Sequence, residues 1–133
     1  MATPILELRV ALTVADYERI LGFYTQVLGL APSEIWTNEG TRGVLFDMGR
    51  ATLEILDDKA ADTVDQIEAG KRVSGQIRFA LEVPDLDAAL ERALMHGATQ
   101  VHEPVRTPWG DYNVRLQSPD GLQITLFQKP EHE

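Results

Sequence analysis

The chain has 133 residues and a mass of 14.8 kDa, which suits one domain and is too short for two ordinary ones. Hydrophobic residues at 44% and charged residues at 25% are those of a folded globular protein, and the absence of cysteine excludes disulfides, thiolate metal sites and a cysteine nucleophile. Twelve basic against twenty-one acidic residues give a formal charge of −9, which repels a phosphate backbone and argues against a nucleic-acid partner.

That acidity would attract a cationic ligand and oppose aggregation. The start, Met1-Ala2-Thr3-Pro4, lacks the positive region of a signal peptide, and the apolar stretches are short and broken by Glu7, Arg9 or Asp16. No membrane span and a cytoplasmic location are therefore expected.

Two stretches share a pattern. Arg9-Val10-Ala11-Leu12-Thr13-Val14-Ala15-Asp16 matches Arg78-Phe79-Ala80-Leu81-Glu82-Val83-Pro84-Asp85 at a constant offset of 69 residues. A repeat of half the chain implies two copies of one supersecondary unit. Each copy opens with a strand, because Leu6, Leu8, Val10, Leu12 and Val14, and then Ile77, Phe79, Leu81 and Val83, alternate with mainly polar residues.

A helix follows each strand. Asp16 and Asp85 are natural N-caps, since a short carboxylate accepts from the free N–H groups of a first turn. Tyr17, Ile20, Leu21, Tyr24, Val27 and Leu28 form one apolar stripe; Leu86, Ala89, Leu90, Ala93 and Leu94 form the other. Gly29 and Gly97 are placed to end these helices, and Gly22 inside the first is read as admitting a close neighbour. Three strands then complete each copy, near residues 31–37, 41–48 and 51–57, and near 98–103, 111–118 and 122–128. Tight turns at Asp47-Met48-Gly49-Arg50 and Ser118-Pro119-Asp120-Gly121 precede the last strands. The predicted architecture is α+β: one domain of two βαβββ modules, 1–57 and 76–133, in a pseudo-twofold repeat. Its curled mixed sheets form a cleft and its helices lie on the outer face. Residues 58–75 are read as a linker with one helical turn near 63–68.

Helices covering the apolar sheet face leave a polar face carrying Arg9, Thr13, Thr52, Glu54, Arg78, Glu82, Gln123 and Thr125. Such a face is either a small-molecule groove or an ordinary solvated surface.

Gly22-Phe23-Tyr24…Val27-Leu28-Gly29-Leu30 after strand and Asp resembles the vicinal oxygen chelate superfamily, which includes glyoxalase I, bleomycin resistance proteins, methylmalonyl-CoA epimerase and extradiol dioxygenases. Thr107-Pro108-Trp109-Gly110, then Ser118-Pro119-Asp120-Gly121 and Leu122-Gln123-Ile124-Thr125-Leu126-Phe127, resembles the ending of its small members. The resemblance spans nearly the whole chain and implies a cleft between two modules, usually in a homodimer. Metal-dependent members are implied to hold a divalent ion at four equivalent strand positions, which here fall on Arg9, Glu54, Arg78 and Thr125. One of the four is a competent ligand. A guanidinium stays protonated and has no lone pair, so two of them beside one Glu disfavour a cation. No metal or other cofactor is therefore expected; the alternative is a divalent metal ion held by an atypical set.

If Arg9, Glu54 and Arg78 converge, Glu54 can bridge both guanidiniums as a structural cluster, or Arg78 can take a ligand carboxylate, phosphate or carbonyl. Trp36, Trp109 and Phe46 are candidate stacking surfaces for a flat ligand, with core or dimer roles as the alternative. His96, His102 and His132 show no ligand spacing. The expected function is a metal-free small-molecule binder that sequesters an antibiotic or metabolite, in the style of bleomycin resistance proteins. The alternatives are a divalent-metal-dependent lyase, isomerase or dioxygenase, and a module for protein interaction.

Overall fold

Alternating strands and capped helices organise the chain much as the repeat predicts, except that the strand expected near 98–103 is replaced by two short strands, Thr99–Gln100 and Val105–Arg106, so four strands rather than three follow the second half's helix. A computed structural model describes residues 4–27, 30–48, 51–119 and 121–130, apart from the side chains of Phe23 and Val27. The expected parts of Val27 and Leu28 in the helical stripe, of Gly29 as a helix end, of Gly49, Arg50 and Asp120 in turns, and of His132 lie outside what is described.

The first half runs β1 (Glu7–Val14), α1 (Tyr17–Gly22), a π-helical turn over Phe23–Val27, β2 (Glu34–Trp36), a 3-10 turn over Asn38–Gly40, β3 (Gly43–Asp47) and β4 (Ala51–Asp57). Then comes α2 (Asp58–Ala69). The second half runs β5 (Ile77–Glu82), α3 (Leu86–Met95), β6 (Thr99–Gln100), β7 (Val105–Arg106), β8 (Tyr112–Gln117) and β9 (Gln123–Gln128). The nine strands form one curled open sheet in the order β2-β3-β4-β1-β5-β9-β8-β6, with β7 also paired to β8. The two halves repeat a parallel pair, β1 with β4 and β5 with β9. They join edge to edge through β1 and β5, antiparallel, with Arg9 opposite Ala80 and Ala11 opposite Arg78.

Local chemistry fixes the ends of the elements. Asp16 accepts from the Arg19 amide at 3.2 Å and Asp85 from the Ala88 amide at 3.2 Å, the two expected caps. Gly97 takes φ +103, the left-handed region that favours glycine at a helix end. Among the described residues nothing lies within 4 Å of where a Gly22 side chain would start, so none of them uses that glycine for a close approach. Gly43 does: a Cβ there would sit 2.1 Å from the Trp36 ring.

Two apolar clusters lie on the outer face. Tyr17, Val44, Phe46 and Ile55 pack under α1; Val83, Leu86, Val114, Leu116 and Leu126 pack under α3. The main departure from expectation is the linker. Residues 58–69 form a full helix rather than one turn, because Asp57 caps it through the Ala60 amide at 2.8 Å and Gly70, at φ +77, ends it. α2 lies on the opposite sheet face from α1 and α3. Its Ala60 and Ala61 pack on Leu56 with Trp36, whose neighbours in sequence, Ile55 and Ile35, point the other way. The polar face is thus partly roofed by the chain's own linker.

Candidate functional site

Strand register brings Arg9, Glu54, Arg78 and Thr125 to this inner face. Arg9 pairs across with Thr52 and Ala80, Ala11 with Glu54 and Arg78, and Ala80 with Thr125. Arg78 is the hub. Its Nη1 donates to Thr125 Oγ1 at 3.0 Å, and its Nη2 lies 3.8 Å from Glu54 Oε1. Burial pushes the Glu54 carboxyl above its ordinary range, against the pull of Arg78 and, more weakly, Arg9.

Glu54 does not bridge both arginines. Arg9 turns instead to Glu7, with Nε to Oε2 at 2.8 Å, and lays its guanidinium over the Phe127 ring at 4.7 Å. Burial works against the Glu7 charge, but hydrogen bonds from Arg9, Thr52 and Lys129 outweigh it and hold the carboxyl at about 2. Glu7 stands directly opposite Glu82 across β1 and β5, a repulsive pair that Lys129 relieves at 3.1 Å and 3.5 Å.

Sequence reasoning missed the most buried charges. Arg115, on the inner face of β8, is fully buried with Asp65 and Glu68 of α2. Its Nη1 lies 2.8 Å from Asp65 Oδ1 and its Nη2 2.9 Å from Glu68 Oε1. Thr125 joins the two halves of this network. Its hydroxyl accepts from Arg78 and, at 3.2 Å, from Arg115 Nε, and donates to Glu68 Oε1 at 2.5 Å. Asn113 Nδ2 donates to Glu68 Oε2 at 2.8 Å. Asp65 is further held by the Val73 and Ser74 amides, each at 2.8 Å, the Ser74 hydroxyl at 2.6 Å and Arg72 at 3.0 Å. Burial disfavours its charge, yet these donors keep the Asp65 carboxyl well below the usual range. The signal was present: Asn113, Arg115 and Gln117 alternate with Val114 and Leu116, a polar stripe on an inner strand.

The aromatic candidates separate. Phe46 is buried at 1% exposure in the cluster beneath α1, on the face away from Arg78, so it lines no inner-face site. Trp36 is on the inner face but packs on Gly43 and the Leu56–Ala60–Ala61 cluster. Trp109 is half-exposed in the turn that Gly110 closes onto Thr107, and burial pushes the carboxyl of Asp111, in the same loop, upward. His96 ends α3, and His102 Nδ1 lies 2.8 Å from the Glu103 carbonyl.

The four positions do not fit a divalent cation. Only the Glu54 carboxylate and the Thr125 hydroxyl among them carry lone pairs, and the Arg78 guanidinium contacts both. Among the described residues no group of three or more His, Asp or Glu is placed to hold a metal ion. Two surface grooves, of about 410 and 210 Å³, lie elsewhere. One runs along α3 beside Ile5 and Leu126, the other beside Leu6 and Lys129. No described helix is long and apolar enough to cross a membrane.

Comparison with known proteins bears on the fold. The structure superposes on methylmalonyl-CoA epimerase from Mycobacterium tuberculosis with a TM-score of 0.70 at 20% identity, covering 98% of this chain and 93% of that one. A glyoxalase/bleomycin resistance protein/dioxygenase superfamily member from Vibrio splendidus 12B01 matches at 0.65 and 14%, covering 92% and 97%. Streptomyces coelicolor methylmalonyl-CoA epimerase (Q60A), in complex with 2-nitronate-propionyl-CoA, matches at 0.65 and 20%, covering 98% and 100%. No curated protein matches the sequence. The model of the Glyoxalase/Bleomycin resistance protein/Dioxygenase superfamily matches residues 8–126. With the parallel pair of first and last strands repeated in each half and the single curled sheet, that match makes this chain a member of the Glyoxalase/Bleomycin resistance protein/Dioxygenase superfamily.

Proposed function

We propose that this protein binds a small molecule on the inner face of its sheet without a divalent metal, and sequesters an antibiotic or metabolite rather than turning it over. The observation that carries the reading is the Arg78 guanidinium, which ties Glu54 to Thr125 where a metal-dependent relative needs open lone pairs. Arg9 and Glu54 keep 24% and 17% of their side-chain surface exposed, and offer a ligand one donor group and one acceptor. Trp109, outside the core, offers a flat surface. A homodimer in the cytoplasm is the assembly and place proposed for it; exposed Ile5, Leu6, Leu94 and Met95 support the dimer.

A second reading has its own support. α2 fills part of the inner face with Asp65 and Glu68, as a module devoted to protein interaction would allow. Titration with bleomycin, a cationic aromatic probe, and with a panel of flat metabolites separates the two through tryptophan fluorescence. Saturable one-to-one quenching supports the binder; no response from any member favours the interaction module. Elemental analysis of protein purified without chelator tests the metal-free part, with far less than one Ni, Zn, Fe, Mn or Co expected per chain. Stoichiometric metal that disappears in Glu54→Ala would overturn the reading in favour of a metal-dependent lyase, isomerase or dioxygenase.

A further inference from the structure

We propose that Arg115, Thr125 and Asn113, with Arg78 behind them, form a carboxylate-binding site on the inner face, and that Glu68 of α2 occupies it as an internal competitor for a carboxylate-bearing ligand. The inference names ligand chemistry for the inner-face site proposed above and rests on that reading.

The sheet residues grip Glu68 as they would grip a free carboxylate. Oε1 receives Arg115 Nη2 at 2.9 Å, Arg115 Nε at 3.2 Å and the Thr125 hydroxyl at 2.5 Å, while Oε2 receives Asn113 Nδ2 at 2.8 Å. Both oxygens of a planar, two-oxygen anion are thus met from one side by three strand residues. Arg78 holds the Thr125 hydroxyl from behind, so that its proton points to the anion.

Charge gives the same result. The inner face of β8 and β9 carries Asn113, Arg115, Gln117, Gln123, Thr125 and Phe127, with no carboxylate among them. Among the described residues Arg115 finds its acidic partners on α2, in Asp65 and Glu68. Displacing Glu68 leaves Arg115 Nη2 and Asn113 Nδ2 without these acceptors, while Nη1 keeps Asp65, Ser74 and Gln123 and Nε keeps Thr125, and the freed donors favour an anion in its place.

The two α2 acids differ in what holds them. Asp65 is knotted to the loop after α2 by Arg72, Val73 and Ser74, and Arg72 also bonds the Ser74 carbonyl. Glu68 bonds across to the sheet. It can be displaced while the Asp65 knot keeps α2 anchored. An internal occupant lowers the apparent affinity of an external one by the fraction of time the site is free.

The test compares wild type, Glu68→Ala and Glu68→Gln, each with metal content measured on the same sample. Thermal unfolding and calorimetric titration use sodium acetate, with sodium chloride at matched ionic strength as control and inorganic phosphate as the rival oxyanion. Glu68→Ala should gain Tm saturably with acetate and bind it about tenfold or more tightly than wild type. Glu68→Gln, nearly the same shape but uncharged, should do so to a smaller degree, and it decides the matter if the alanine variant does not fold. The proposal is overturned if neither variant responds to acetate beyond chloride, if wild type binds acetate as tightly, or if phosphate outcompetes acetate. A metal-free protein with no acetate response defeats this inference alone; stoichiometric metal in the wild type defeats the reading beneath it.

Discussion

A threonine hydroxyl has one proton to give and two lone pairs to offer, and Thr125 uses all three on charged partners. Thr125→Val keeps the shape and removes the hydroxyl, leaving buried donors on Arg78 and Arg115 and one fewer bond to Glu68. Urea unfolding should show a loss of about 2 kcal/mol; a change within error would mean that water replaces the hydroxyl. Glu7 gives the pH counterpart. Its folded value of about 2 lies below the ordinary glutamate value of 4.5, so its contribution is complete above pH 4.5 and is lost as pH falls toward 2. Asp65, also lowered, acts in the same sense; Glu54, raised, acts in the opposite one, since the folded state takes up its proton more readily. Glu7→Gln should therefore flatten stability against pH below 4.5, read from urea midpoints at successive pH values. A slope equal to the wild type would show that Glu7 contributes nothing to it.

At the scale of elements, the strands were legible because alternation sorts side chains without reference to anything distant. The same alternation placed Arg9, Glu54, Arg78 and Thr125 on one face. It could not choose partners: Arg9 reaches Glu7 rather than Glu54 because a rotamer choice, and the Phe127 ring beneath it, lie outside any period. Phe46 packs on the outer face rather than at the site, because adjacent residues on a strand face opposite ways and aromatic character alone does not say which. The sequence reads α2 as one turn within a linker, because its charged residues and Gly70, Ser74 and Gly75 after it mark a connection. In the fold two of them, Asp65 and Glu68, are buried against an arginine 47 or more residues away. Its ends were nevertheless written locally, in Asp57 and Gly70. The packing of α2 with Trp36 depends on Gly43, whose bare Cα admits the indole. Gly43→Ala should move Trp36, change tryptophan emission and cost about 2 kcal/mol or more; an unchanged spectrum and midpoint would show that the ring shifts freely.

For the whole molecule, the two halves are tied into one sheet along β1 and β5, and Arg9 and Arg78 stand on the two strands of that seam. A repeat that places an equivalent residue at each centre has placed an arginine at both, with Glu54 at one last-strand position and Thr125 at the other. The fold is that of the superfamily, while the chemistry at its centre is ionic and hydrogen-bonded. Calorimetric titration of the wild-type protein with Zn²⁺, Ni²⁺ and Mn²⁺ tests this most directly. No saturable one-to-one heat is predicted for any of them, because the Arg78 guanidinium sets a fixed positive charge beside Glu54 and the Thr125 hydroxyl already accepts from Arg78 and Arg115. One-to-one binding of any of the three, abolished by Glu54→Ala and leaving Arg78 displaced from Thr125, would contradict it.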